Sequence, residues 1–275
     1  MKKRVVALAL ILAWLLSSTA LAADTTAPEG PDAGTDSGQS QPEETGEQEG
    51  ESGQEEQGGE NTPEQAGSLL ASDRHTAYMS GSSGRFRPDG NISRAEAAQM
   101  IYRLLPQQPV EITAAYTDVA DTAWYAQASL TLGTLGVIRP GQTEFLPDEE
   151  LTRGEFIRCL AFFFVPRADA QQFADVAPDH PDAAYLLTAR AWGWLSGFED
   201  GTVRPDAALT RAEAVVLVNR AIGRTPDKAY IDSARPVFYL DVAPGSWYYY
   251  DVVEASVSHE HTGSGAAERW TSCTA

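Results

Sequence analysis

The chain has 275 residues, a net charge of −19 and two cysteines, with 39 Asp and Glu against 20 Lys and Arg. An acidic balance of this size argues against nucleic acid as a partner, and two cysteines without framework spacing argue against a disulfide scaffold. We expect Cys159, set in an apolar run, and Cys273 to be free thiols.

Residues 1–22 read as a secretory signal peptide. Lys2-Lys3-Arg4 is the basic region, Val5 to Leu16 the apolar stretch, and Ala20-Leu21-Ala22 the small-residue cleavage site. The apolar run is short for a spanning helix and nothing later is long enough. The expected product is exported, with no membrane contact after signal cleavage. Residues 23–67 hold thirteen acids, no Lys or Arg and no aromatic residue. Such a segment has nothing to bury, so it is expected to be a disordered, self-repelling acidic linker.

A phrase then recurs three times: Asp89-Gly-Asn-Ile92-Ser93-Arg94-Ala-Glu96, Asp148-Glu-Glu-Leu151-Thr152-Arg153-Gly-Glu155 and Asp206-Ala-Ala-Leu209-Thr210-Arg211-Ala-Glu213. The Ser/Thr positions stand 59 and 58 residues apart, the period of one supersecondary unit. Each phrase reads as a helix start, with Ser or Thr at the N-cap and Glu three residues on forming a capping box. Ile92, Leu151 and Leu209 sit where a hydrophobic staple begins.

The Arg between cap and Glu is a poor choice for the positive end of a helix dipole. Its repetition points to Arg94, Arg153 and Arg211 as ligands for an anion, held beside free N–H groups of the helix N-terminus.

A second motif, aromatic-x-Asp-Val, precedes another helical pattern: Tyr116-Thr-Asp118-Val119, Phe173-Ala-Asp175-Val176 and Tyr239-Leu-Asp241-Val242. Trp124-Tyr125 and Trp247-Tyr248 follow two of these, and Ala184-Tyr185 the middle one. The first capped helix lacks such a half before it, and the last such half lacks a capped helix after it. The expected fold is therefore mainly α. Three helix–loop–helix repeats form a pseudo-threefold bundle, and the C-terminal half-repeat completes the first. The expected boundaries are 68–106, 116–165 and 173–224 for the repeats, 236–261 for the half-repeat and 262–275 for a tail.

These phrases resemble S-layer homology repeats, whose pattern runs aromatic-x-Asp-Val, Trp-Tyr, Gly-Tyr-x-Asp-Gly-x-Phe-x-Pro and Ile-Thr-Arg-Ala-Glu. The nearest stretches here are Gly197-Phe-Glu-Asp-Gly-Thr-Val-Arg-Pro205 with Leu209-Thr-Arg-Ala-Glu213, and Phe86-Arg-Pro-Asp-Gly-Asn-Ile-Ser-Arg-Ala-Glu96. The resemblance covers nearly all of residues 72–261. It implies a secreted, non-catalytic cell-wall-binding module at the bacterial surface, docking on anionic secondary cell-wall polysaccharide that is often ketal-pyruvylated. It further implies that Arg94, Arg153 and Arg211 hold the carboxylate in grooves between units. Gly81, Gly197, Trp124 and Trp247 would meet the sugar. Asp118, Asp175 and Asp241 either accept sugar hydroxyls or cap the following turn. The second copy departs from the pattern at Ile138-Arg-Pro-Gly-Gln, and the first at Gly81-Ser-Ser-Gly84.

No catalytic residues, cofactor or metal ligands are expected. Gly-x-Ser-x-Gly, a phosphate-cradling glycine loop and His-Glu-x-x-His are all missing. His259 and His261 would point to different faces of a helix, and we read them as structural. An alternative function is a surface adaptor that recruits another exported or surface-layer protein through the acidic arm or the tail.

Overall fold

The computed structural model describes residues 68–70, 74–106 and 110–274; the signal segment and the acidic linker lie outside them. Seven α-helices and one two-stranded hairpin make the described region mainly α. In chain order the helices are α1 (Arg94–Leu104), α2 (Ala126–Thr134), α3 (Arg153–Ala161), α4 (Ala183–Ala191), α5 (Arg211–Ile222), α6 (Lys228–Ala234) and α7 (Tyr249–Ser256). Strands β1 (Ser258–Thr262) and β2 (Arg269–Thr274) then pair antiparallel, with a bulge between Glu260 and His261. No helix among the described residues is long and apolar enough to cross a membrane.

The three capped helices begin as their sequence demands. Ser93, Thr152 and Thr210 have extended backbones, and each side chain accepts from the N–H of the Glu three residues on. Glu96, Glu155 and Glu213 reach back to the cap N–H, completing three capping boxes. The helices opposite start without side-chain caps, at Tyr125, Asp182 and Tyr248. Gly136 and Gly193 follow α2 and α4 with left-handed backbones (φ 79° each), as helix-terminating glycines do. α1 packs against α2, α3 against α4, and α5 against α7. The capped helices carry much of the core, through Ala97, Ile101 and Leu104, Phe156, Ile157 and Leu160, and Ala214, Val215 and Val218.

The three staple positions join through the backbone. Ile92 N–H donates to Leu209 O (2.9 Å), Leu209 N–H to Leu151 O (3.4 Å), and Leu151 N–H to Ile92 O (3.1 Å), a closed cycle of buried residues. The first two N–H groups of each helix go the opposite way round. Arg94 and Ala95 donate to Glu149 O and Pro147 O, Arg153 and Gly154 to Ala207 O and Pro205 O, Arg211 and Ala212 to Gly90 O and Pro88 O. Each helix N-terminus is thus satisfied by the loop that leads into another capped helix.

Those loops are held by the aromatic-x-Asp-Val aspartates. Asp118 accepts from the N–H groups of Phe145 and Leu146 (2.8 and 2.7 Å), Asp175 from Val203 and Arg204 (2.9 and 2.6 Å), Asp241 from Phe86 and Arg87 (2.8 and 2.9 Å). The second partner in each pair stands before a proline and has positive φ: Leu146 58°, Arg204 55°, Arg87 60°. A left-handed non-glycine residue costs about 1–3 kcal/mol, and proline removes the α region as an alternative. The two-oxygen grip of the carboxylate offsets that cost. The kink it maintains aims the proline carbonyl at a different capped helix from the one its loop leads into.

Residues 262–274, expected as a tail, instead form the end of β1, a short 3-10 turn and β2. Trp270 is buried against the ring of His259, which gives the return strand its anchor. Helix α6 was also not foreseen. Its N-cap Asp227 accepts from Tyr230 N–H with one oxygen and from Trp270 N–H with the other, so this short helix is tied to the hairpin.

Candidate functional site

The expected anion site was a helix N-terminus with free N–H groups and a free guanidinium. The structure corrects the first half for all three helices, whose leading N–H groups are taken by the capping oxygens and the neighbouring loop carbonyls. No backbone N–H of these first turns is left for a ligand.

The arginines themselves divide. Arg211 is only 3% exposed; its Nε donates to Phe86 O (2.8 Å), its other nitrogens to Ser80 O (3.1 Å) and the Glu96 carboxylate. Arg94, 5% exposed, donates to Phe145 O (2.9 Å), Leu146 O (2.6 Å) and Glu149 Oε2 (2.8 Å). Both guanidinium groups therefore fasten the neighbouring loop, so the expectation that they stand free is not met. Their dipole disadvantage is repaid by buried, charge-assisted hydrogen bonds.

Arg153 differs. Its nearest carboxylate oxygen, Glu213 Oε1, lies 3.6 Å away, and its Nε is buried without a hydrogen-bond partner. It sits 5.3 Å from the centre of the Phe198 ring, over which Arg204 also lies at 3.9 Å. Burial pulls the Arg153 guanidinium below its ordinary value, against the pull of Glu213. The same sign holds for Arg211, where burial is opposed by Glu96.

A cleft of about 370 Å³ opens at the junction holding Arg94. Arg139, Gln142, Glu155 and Arg158 line it with Arg94, over an apolar floor that includes Ile138 and Leu151. Three guanidinium groups and the Glu155 carboxylate line this hollow, with Arg94 paired to Glu149 and Arg158 to Asp182, so Arg139 is the lining cation without a carboxylate partner within 4 Å among the described residues. Arg158 is steered by Asp182 (2.7 Å), and Arg139 Nε donates to Glu144 O (3.0 Å). Neither Arg139 nor Arg158 was a sequence candidate. Arg158 was findable, being on the same helix as Glu155 and three residues on. Arg139 was hidden by the departure of its loop from the repeat pattern.

The other candidates fall into two groups. Trp124 and Trp247 are 62% and 65% exposed, each edge-on to the following tyrosine, so both indoles are open to solvent. Gly81 and Gly197 are required by their turns. A Cβ on Gly81 would fall 2.3 Å from Arg85 O; on Gly197, with φ 79°, 2.6 Å from Thr202 O. Asp118, Asp175 and Asp241 have both oxygens engaged by backbone across their loops, rather than in the following turn. Those N–H groups hold the Asp118 and Asp241 carboxyls below the usual range despite the opposing effect of burial.

Cys159 and Cys273 are free; Cys159 is buried with its thiol pushed up to about 12 by desolvation. His259, read from the sequence as a structural histidine, lies on β1. It forms a buried cluster with His75, Glu254 and Glu268, whose ligand atoms all fall within 4.8 Å of one another. A strand brings residues two apart to one face, and both His259 and His261 meet the ring of His75.

Comparison with known proteins agrees with the repeated motifs. The S-layer homology domain matches residues 77–98 and 172–215. "Cell surface glycoprotein 1" of Acetivibrio thermocellus is 30% identical over 220 residues, covering 74% of this chain and 9% of that protein. The "Cellulosome-anchoring protein" of the same organism is 30% identical over 215 residues, 74% of this chain and 46% of that protein. The "Surface-layer 125 kDa protein" of Lysinibacillus sphaericus is 32% identical over 161 residues, 56% of this chain and 14% of that protein. The chain spans less than half the length of each of these relatives. No enzymatic family is indicated among these matches. With its three capping-box phrases, the domain match and these surface-protein relatives, the chain belongs to the S-layer homology domain family.

Proposed function

We propose that this cell-surface protein is a non-catalytic wall anchor that binds an anionic secondary cell-wall polysaccharide, with ketal-linked pyruvate as the charged group. The observation that carries the reading is the cleft at the Arg94 junction, where Arg139 and Arg158 add two guanidinium groups to that of Arg94. A carboxylate presented by a sugar suits a guanidinium fork, and the apolar floor suits the ring carbons. Arg153 supports the same reading at the next junction, because a buried Nε without a partner is a donor in want of an oxygen. Arg94 and Arg211 serve by holding groove walls, with their own charge only partly available. The exposed indoles of Trp124 and Trp247 offer stacking faces for further sugar units.

The scaffold we infer is a pseudo-threefold module in which residues 236–261 complete the first repeat. The closed cycle through Ile92, Leu209 and Leu151 supports this, as does the grip of Asp241 on the Phe86–Arg87 loop. Grooves then recur once per junction with different equipment in each.

The test is sedimentation of the full chain with purified cell walls, before and after mild acid removes ketal pyruvate. Combining Arg139→Ala with Arg153→Ala should weaken binding roughly tenfold or more while leaving the helical circular dichroism unchanged. Salt should weaken it too, since these ion pairs are partly solvated. Binding that ignores both the variants and pyruvate removal overturns the assignment.

A further inference from the structure

We propose that His75, Glu254, His259 and Glu268 form a closed structural zinc site that clamps the segment before the first capped helix to the C-terminal helix and hairpin. This site is separate from the wall-binding reading and independent of it. Its four ligand residues come from four places: the extended stretch at 74–80, α7, β1 and the residue before β2. All four are buried, the side chains being no more than 3% exposed.

The spacing matches tetrahedral coordination. Bonds of about 2.0–2.1 Å place tetrahedral ligand atoms about 3.3 Å apart. Here His75 Nδ1 stands 2.8 Å from His259 Nε2, 3.3 Å from Glu254 Oε1 and 3.3 Å from Glu268 Oε1. His259 Nε2 stands 3.5 and 3.8 Å from the same two oxygens. The other nitrogen of His259 is 3.0 Å from Val257 O, which accepts only, so Nδ1 carries the hydrogen and Nε2 presents its lone pair inward. That outer hydrogen bond is the usual support of a metal-binding imidazole. Stacking on Trp270 at 3.6 Å fixes the ring plane. Two imidazoles and two carboxylates suit zinc better than a hard cation, which would take oxygen alone.

A shared proton is the competing way to bridge these groups, and it leaves too much undone. An N–H on His75 Nδ1 points one way. Given to His259 Nε2, it leaves Glu254 Oε1 and Oε2 and Glu268 Oε1 without a donor, and these oxygens are buried and unpartnered. Arg224 does not meet the need: its two terminal nitrogens donate to Arg74 O (2.6 Å) and Thr76 O (3.3 Å), one of them lies 3.9 Å from Glu254 Oε1, and its Nε is itself buried without a partner. Buried carboxylate oxygens in that state are costly, and one divalent ion bound to four atoms removes the cost. With four protein ligands and no exposed face, the ion has no position for substrate. Its role is to staple, adding to the bonds by which Tyr78 and Met79 N–H reach Ala255 O and His259 N–H reaches His75 O.

The untagged full chain, equilibrated with zinc and then desalted, should retain one zinc per chain by elemental analysis. Chelator should remove it and lower the melting temperature. Cobalt(II) in its place should give the intense visible bands of a tetrahedral site, a readout that needs no variant. His75→Ala and Glu268→Gln should each lose the retained ion. The proposal is overturned if desalting leaves no zinc and melting ignores zinc and chelator alike. It is equally overturned if both variants hold zinc as well as the parent, which would put the ion on other carboxylates.

Discussion

Arg211 and Arg153 occupy the same place in their repeats, yet one is spent on structure and the other is not. Arg211 ties three partners together, Phe86 O, Ser80 O and Glu96, inside the protein. Arg153 meets Phe198 and a distant Glu213, with a buried nitrogen left over. The difference lies in the loop each one faces. Both guanidinium groups lie over an aromatic ring, Phe86 at 4.9 Å and Phe198 at 5.3 Å, but around Arg211 the Ser80 and Phe86 carbonyls also turn inward to accept from it. A repeated residue is therefore not a repeated function; the groove partner decides whether its charge remains available to a ligand.

The largest effect should come from Arg211→Ala. It leaves the Phe86 and Ser80 carbonyls without that donor in a buried setting, while Glu96 keeps Arg87 and the Ser93 N–H, a loss of about 2–3 kcal/mol. Arg153→Ala, by contrast, should cost about 1 kcal/mol or less, since no strong bond is lost. Urea unfolding of the two variants measures the gap directly. Equal destabilisation would erase the distinction between the junctions.

A smaller, pH-dependent effect should come from the aspartates that hold the loops. The Asp118 and Asp241 carboxyls lie below their unfolded values because backbone N–H groups favour the charged form. Their contribution is fully present above the unfolded aspartate value, near pH 4, and is lost as pH falls through the lower folded values. Thermal melts should therefore fall steeply below about pH 4. Asp241→Asn should flatten part of that fall, because an amide offers one acceptor oxygen and no titration. A parent and variant with parallel acid profiles would show that the grip of Asp241 on Phe86 and Arg87 adds nothing.

The mainly α architecture and the three capping boxes were legible because their signals are local. Ser93 and Glu96, Thr152 and Glu155, Thr210 and Glu213 are each three residues apart and need no distant partner. The fates of Arg94 and Arg211 were not legible. Their acceptors lie from 51 to 131 residues away in sequence, and a periodic pattern does not say which carbonyl turns inward. The histidine cluster was missed for a related reason. Treating His259 and His261 as helical hid the face they share on a strand, and His75 is 184 residues from its partner. The strand Arg269–Thr274 was missed as well, its signal being a short polar stretch around one buried Trp270.

The smallest stability effect, and the sharpest separation of structure from binding, should come from Trp124→Ala. With 62% of its surface exposed and one edge contact to Tyr125, this indole contributes little to the core. Removing it should change stability by no more than about 0.5 kcal/mol. Stacking on a sugar ring would be worth about 1 kcal/mol, so wall binding should fall roughly fivefold if the indole serves the ligand. Cosedimentation with purified walls at several chain concentrations resolves a change of that size. A variant that binds as tightly as the parent would remove Trp124 from the binding surface. Discrimination among the junctions would then rest on Arg139, Arg153 and Arg158 alone.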